Sequence, residues 1–269
     1  MNVKLFCSSK NFFLLLLVSI IFSSCGKDAS NEELIEQVKE EIEEEIEEVK
    51  EEEEPEEAKK VNWKMITLVI KNMDVTYDND KTLKATMSPE LIKEHVSIAE
   101  GIPETMSAWT DGRAKVTMDV KVIDDAITSL ERYGKKSFWP GPYAVRDILD
   151  KYAPNGKYSS VFIALDMGSV PRNWDGLGYY PGPDLANGAT YAVMSITHTS
   201  IFIHEWLHGA GGWYREKGFD VPDPHDNSKH GYPHTDDDWF KSLMNGRISR
   251  DGKPIGYTDE VWDYSGPSI

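Results

Sequence analysis

The chain has 269 residues, 40% of them hydrophobic and 28% charged, with a formal net charge of −17. That length suits one sizeable domain or two small ones, and eight Trp among 11% aromatic residues suffice to fill a core. The acidic balance argues against nucleic acid, which needs a basic footprint, and against anionic lipid surfaces. The charge is uneven, however. Residues 1–24 carry +2, residues 25–60 hold 17 acidic and 5 basic side chains, and the rest sums to only −7.

Lys4 and Lys10 form a basic start, and Phe12–Phe22 is apolar apart from Ser19. Eleven residues fall short of the about 20 that a spanning helix needs, so the segment reads as an export signal. Phe22-Ser23-Ser24-Cys25 follows and resembles the lipobox of bacterial lipoproteins, with Phe22 less usual than Leu at its position. The resemblance implies a signal peptide over 1–24, lipidation of Cys25 and anchoring to a membrane by lipid alone. Gly26 stands where enteric lipoproteins retained at the inner membrane carry Asp. The outer membrane is therefore the expected location, on its periplasmic face or at the cell surface. Cys7 would leave with the signal, so the mature domain has no thiol for a disulfide, a metal or a nucleophile. Any metal must be held by His, Asp or Glu.

Residues 25–60 are an acidic, Glu-rich tether. Leu34, Ile35, Val38, Ile42, Ile46 and Val49 make a narrow helical stripe of barely two heptads, opposed by like-charge repulsion and broken at Pro55. From Val61 the composition turns globular, and 61–269 reads as one domain. Strands are predicted at Met65–Ile70, Val75–Tyr77 and Leu83–Met87, the last two joined by an Asp78-Asn79-Asp80 turn. Ser88-Pro89-Glu90 caps a helix reaching about Ile98, and a second helix spans Pro103–Trp109. Ala114–Ile123 alternates as a strand, Tyr143–Tyr152 is an amphipathic helix, and Tyr158–Leu165 is another strand. Residues 166–188 read as a Gly- and Pro-rich loop, with Trp174, Tyr179 and Tyr180 either rimming a cleft or simply ordered at the surface. Ala189–Ile196 is predicted as an edge strand, and a helix capped by Thr199 or Ser200 follows it. The order suggests an α+β domain with a mixed sheet packed by helices.

Six of the seven His lie between 198 and 234, and among them stands His204-Glu205-Trp206-Leu207-His208. On a helix, residues four apart share a face, so both imidazoles can reach one tetrahedral Zn²⁺ at about 2.0–2.1 Å. Glu205, beside the first ligand, is placed to act on a water as general base. This HExxH on a helix after an edge strand resembles the zincin metallopeptidases. The resemblance implies a zincin-like mixed sheet, Zn²⁺ as cofactor and hydrolysis of a protein or peptide substrate. The metzincin extension is broken, since Gly211 matches its glycine but Tyr214 stands at the place of its third His. Glu216 is too near on the same helix, and Glu260 follows no convincing helix. The third ligand is therefore sought at His225, in the stiff Val221-Pro222-Asp223-Pro224-His225-Asp226 loop, with His230 and His234 as alternatives. The two not used are expected to be exposed loop residues. Asp226 is a candidate ligand or an orienting partner for an imidazole.

Several further residues have readings of their own. His198 reads as a helix-start residue and His95 as surface. Tyr214, Tyr232 and Tyr257 are possible hydrogen-bond donors to a reacting group. Asp236-Asp237-Asp238 reads as a helix N-terminus rather than a calcium site. The expected function is a lipid-anchored zinc peptidase acting on peptide bonds, with no nucleic-acid partner. The rivals are a catalytically inactive zincin-fold surface lipoprotein binding host protein or glycan, and a zinc hydrolase acting on a non-peptide amide.

Overall fold

Residues 61–78 and 80–267 are described in the computed structural model. The expected signal peptide over 1–24, the expected lipidation site Cys25 and the expected tether over 25–60 lie outside the described residues. In chain order come β1 (Trp63–Ile70), β2 (Asn72–Tyr77), β3 (Lys81–Thr86), α1 (Pro89–Trp109) and β4 (Val116–Ile123). Next are β5 (Glu131–Tyr133), β6 (Ser137–Trp139), α2 (Arg146–Tyr152), β7 (Ser160–Ala164), β8 (Gly176–Tyr179) and β9 (Thr190–Met194). The chain continues with α3 (Thr199–Glu216), α4 (Asp237–Met244), β10 (Ile248–Arg250), β11 (Lys253–Ile255) and α5 (Asp259–Asp263). No helix among the described residues is long and apolar enough to cross a membrane.

The fold is α+β around a mostly parallel five-stranded sheet of order β4-β1-β7-β9-β8. All of β1 except Lys64 is buried, which is why it reads as a continuous apolar run rather than an alternating one. β4, β1, β7 and β9 run parallel, and β8 is antiparallel to β9 at the edge. The expected edge strand at Ala189–Ile196 is therefore second from the edge. The true edge comes from the segment read as loop, because Gly176 and Gly178 erase the apolar pattern by which a strand is recognised. β2 and β3 form the expected hairpin.

α1 corrects another expectation. It is one helix of 21 residues, carrying Pro103 in its interior, where two helices were expected. Ser88 caps it by accepting a hydrogen bond from the Leu91 backbone N–H at 3.2 Å. An interior Pro costs about 3 kcal/mol, and burying two or three large apolar side chains at about 1.5–3 kcal/mol each offsets it. Ile102 and Met106, fully buried with Ala99, supply that packing as the helix lies on β4 and β1.

His95 lies on the same face, four residues before Ala99, and is buried rather than at the surface. Its Nε2 has no hydrogen-bond partner among the described residues. Burial pulls its pKa down to about 4, against the opposing influence of Glu94 and Asp166. The ring is then neutral in the fold but takes a proton in the unfolded chain below its ordinary value of 6.5. Its contribution to stability is whole above pH 6.5 and is lost as pH falls toward 4, a change of about 3 kcal/mol. His95→Leu is predicted to flatten the fall in urea-unfolding midpoint between pH 7 and pH 4.5. An unchanged slope would show that the ring is not held neutral.

Candidate metal centre

α3 starts after His198, which takes the N-cap position with extended backbone and no side-chain cap bond. Ser200, expected as a cap, instead donates its hydroxyl to Asp237 at the start of α4. Ile203, Trp206, Leu207, Ala210 and Tyr214 turn into the core. Trp206 meets Trp63 edge-on at 5.2 Å and stacks on Trp262 at 6.0 Å. This aromatic floor sets the rotation of the helix, and His204 and His208 consequently share a more open face, with side chains 12% and 18% exposed.

Their Nε2 atoms lie 3.1 Å apart. Two nitrogens each bound to one tetrahedral ion at about 2.0–2.1 Å lie about 3.3 Å apart, so the spacing fits a shared metal. His225 completes the group, and one ring nitrogen of each of the three lies within 4.8 Å of the others. Burial and the two neighbouring imidazoles hold the His204 pKa down at about 3, which keeps the ring neutral and its lone pair free. The donor set is three imidazoles with no thiol, and it suits Zn²⁺.

Glu205 is buried and packs against β8, not toward solvent. A Cβ at Gly178 would stand 2.0 Å from the Glu205 carbonyl oxygen, and one at Gly176 would stand 2.5 Å from Glu205 Cγ. Only glycine leaves room for the strand to lie so close. On the helix side, a Cβ at Gly209 would come 2.8 Å from Thr190 Cβ. Burial in this seam pushes the Glu205 carboxyl up to about 7, against the pull of His208 and the Gly178 backbone N–H. Glu205 Oε1 lies 3.9 Å from His204 Nε2, which places the carboxyl beside the helix pair of imidazoles.

His225 arrives on the loop that follows Gly218, whose φ of 91° ends the helix region. The carboxylate nearest the imidazoles is Asp223, not Asp226. Asp223 Oδ2 lies 3.7 Å from His208 Nδ1, and Oδ1 accepts the His225 backbone N–H at 3.0 Å. His208, the His225 N–H and Arg215 hold its carboxyl well below the usual carboxylate range. Asp226 is occupied elsewhere, accepting from Lys229 Nζ at 2.6 Å. A sequence signal for Asp223 existed: an Asp two residues before His225, ahead of Pro224, is suited to an Asx turn.

The other candidates fall away from the trio. His234 is exposed as expected, but His230 is half-buried and stacks on Trp239 at 5.7 Å. Tyr214 is buried, accepting from Trp63 Nε1 at 2.8 Å and donating to the Tyr264 carbonyl at 3.0 Å. Gly211 does not turn the chain, so the helix carries position 214 into the core. Tyr257 is likewise fully buried, and Tyr232 packs on Trp239 at 5.2 Å. Glu216 and Glu260 are exposed and outside the trio. Asp236 caps α4 by accepting from the Trp239 backbone N–H at 3.2 Å. The aspartates also help line a groove of about 810 Å³ that includes His198, Ile201, His204 and Phe240.

Gly178→Ala is predicted to lower stability by about 2–3 kcal/mol, since the clash is with backbone that cannot step aside. Urea unfolding measures this, and an unchanged midpoint would contradict the tight seam. No protein-family model matches the chain, and no curated protein matches it.

Proposed function

We propose that the domain is a zinc-dependent peptidase of the zincin type, with His204, His208 and His225 holding Zn²⁺ and Glu205 as general base. The observation that carries this reading is the approach of three ring nitrogens from two separate elements to within 4.8 Å, beside a buried carboxyl. A bound zinc ion supplies a Lewis acid that polarises a carbonyl and makes water acidic near neutral pH. His204 and His208 hold their side from a rigid helix, and His225 closes the third side from the loop. Asp223 orients His208 through the nitrogen turned away from the trio. Glu205 takes the proton of the attacking water as it adds to the peptide carbonyl, and then delivers it to the leaving amine. The groove beside His204 offers an extended chain a place to lie.

The lipobox resemblance at Cys25 supports a peptidase tethered to a membrane, with the Glu-rich residues 25–60 as its spacer. Such an enzyme meets protein or peptide substrates outside the cytoplasm.

Two variants test the roles separately. His225→Ala is predicted to take zinc from one per chain toward zero in metal analysis while the domain stays folded; undiminished zinc would remove His225 from the ligand set. Glu205→Gln is predicted to retain zinc and lose chelator-sensitive cleavage of a broad peptide library by at least about 100-fold. Full activity in that variant would refute the general-base role. A zinc-loaded wild type silent on the library would turn the reading toward a non-peptide amide or a binding role.

A further inference from the structure

His225 is the weak point of the trio. It is exposed and sits on a loop, whereas its two partners sit on a packed helix. A loop ligand gives up backbone and rotamer freedom when it binds, unless something has already fixed it. The Pro224–His225 peptide unit is fixed at both polar ends. Its N–H donates to Asp223 Oδ1 at 3.0 Å. Its C=O accepts from the indole Nε1 of Trp239 at 2.6 Å, in a buried hydrogen bond that spans 15 residues. A peptide unit is planar, so fixing its two ends fixes its plane and the position of the His225 Cα, leaving only rotation about the N–Cα bond and the side-chain torsions to be ordered.

Trp239 is built to hold that position. It is fully buried in α4, and the segment after His225 wraps round it, with His230 stacked at 5.7 Å and Tyr232 at 5.2 Å. The indole has one polar atom and spends it on Pro224. The next residue, Phe240, packs edge-on against the His204 ring at 5.3 Å, so one helix braces a ligand from each element. The two prolines on either side of Asp223 narrow the remaining backbone freedom.

We propose that Trp239 is a positioning residue for the metal centre, its indole N–H presetting His225 through the Pro224 carbonyl. The role rests on the metal-binding reading above and predicts an effect on metal affinity that stability alone does not explain. Zinc affinity, measured by competition with a chromogenic chelator, is predicted to weaken about 10-fold in Trp239→Phe. His225→Ala loses tightly held zinc, but its two helix histidines should still bind Co²⁺ weakly in a titration to millimolar metal, and there the same substitution should change nothing. Leu243→Ala, which empties another buried position of α4, should lower thermal stability and leave zinc affinity as it was. Where phenylalanine costs the fold, replacing the Trp239 indole with benzothiophene keeps the shape and removes only the N–H.

Equal affinity in wild type and Trp239→Phe would overturn the proposal. So would an equal loss with and without His225, or a matching loss in Leu243→Ala, because either would mean general loosening. A folded wild type that binds no zinc would instead remove the metal reading, and the positioning role with it. The two failures are thus distinguishable.

Discussion

The site depends on a backbone-to-backbone contact between β8 and α3. Where Gly178 faces the Glu205 carbonyl there is no space even for a methyl group. That approach seals Glu205 between strand and helix, and the loss of water raises its carboxyl to about 7. It also fixes how far the helix can roll on the sheet. The roll decides where His204 and His208 point, and Trp206, stacked on Trp262 at 6.0 Å, packs the buried face of the same helix. The two imidazoles and the carboxylate are therefore set by one packing decision.

The third imidazole needs a separate solution, because α3 runs on past Gly211 to Glu216 and carries position 214 into the core. The chain leaves the helix, turns at Gly218 and returns through a proline-stiffened loop. Asp223 and Trp239 grip a single peptide unit there. Asp223 also faces His208, so one carboxylate links the loop to the helix. On the proposed metal-binding reading, the helix pair and the loop residue would have little left to order when an ion enters.

What was legible in the sequence was whatever has a local period or a local spacing. The HExxH read directly, since i and i+4 need only a helix, and the approach of His225 to that pair read from the proline-stiffened loop that precedes it. The strands Met65–Ile70 and Tyr158–Leu165 read from apolar runs. What stayed hidden was set by distant partners. β8 looks like loop because its glycines exist to admit α3. Pro103 looks like a helix break because the packing that overrides it comes from β1 and β4. His95 looks like surface because a lone His carries no sign of burial, and Asp223 was passed over for its neighbour Asp226. α5, β10 and β11 are each five residues or fewer, too short for a period to show.

On the proposed reading, side chains from α3 and the following loop bind one zinc ion. X-ray absorption at the zinc edge on the full-length protein tests it most directly. Three imidazole nitrogens at about 2.0–2.1 Å and one further light ligand, in a four-coordinate shell, are the expected result. A six-coordinate all-oxygen shell, or protein that retains no zinc, would contradict it.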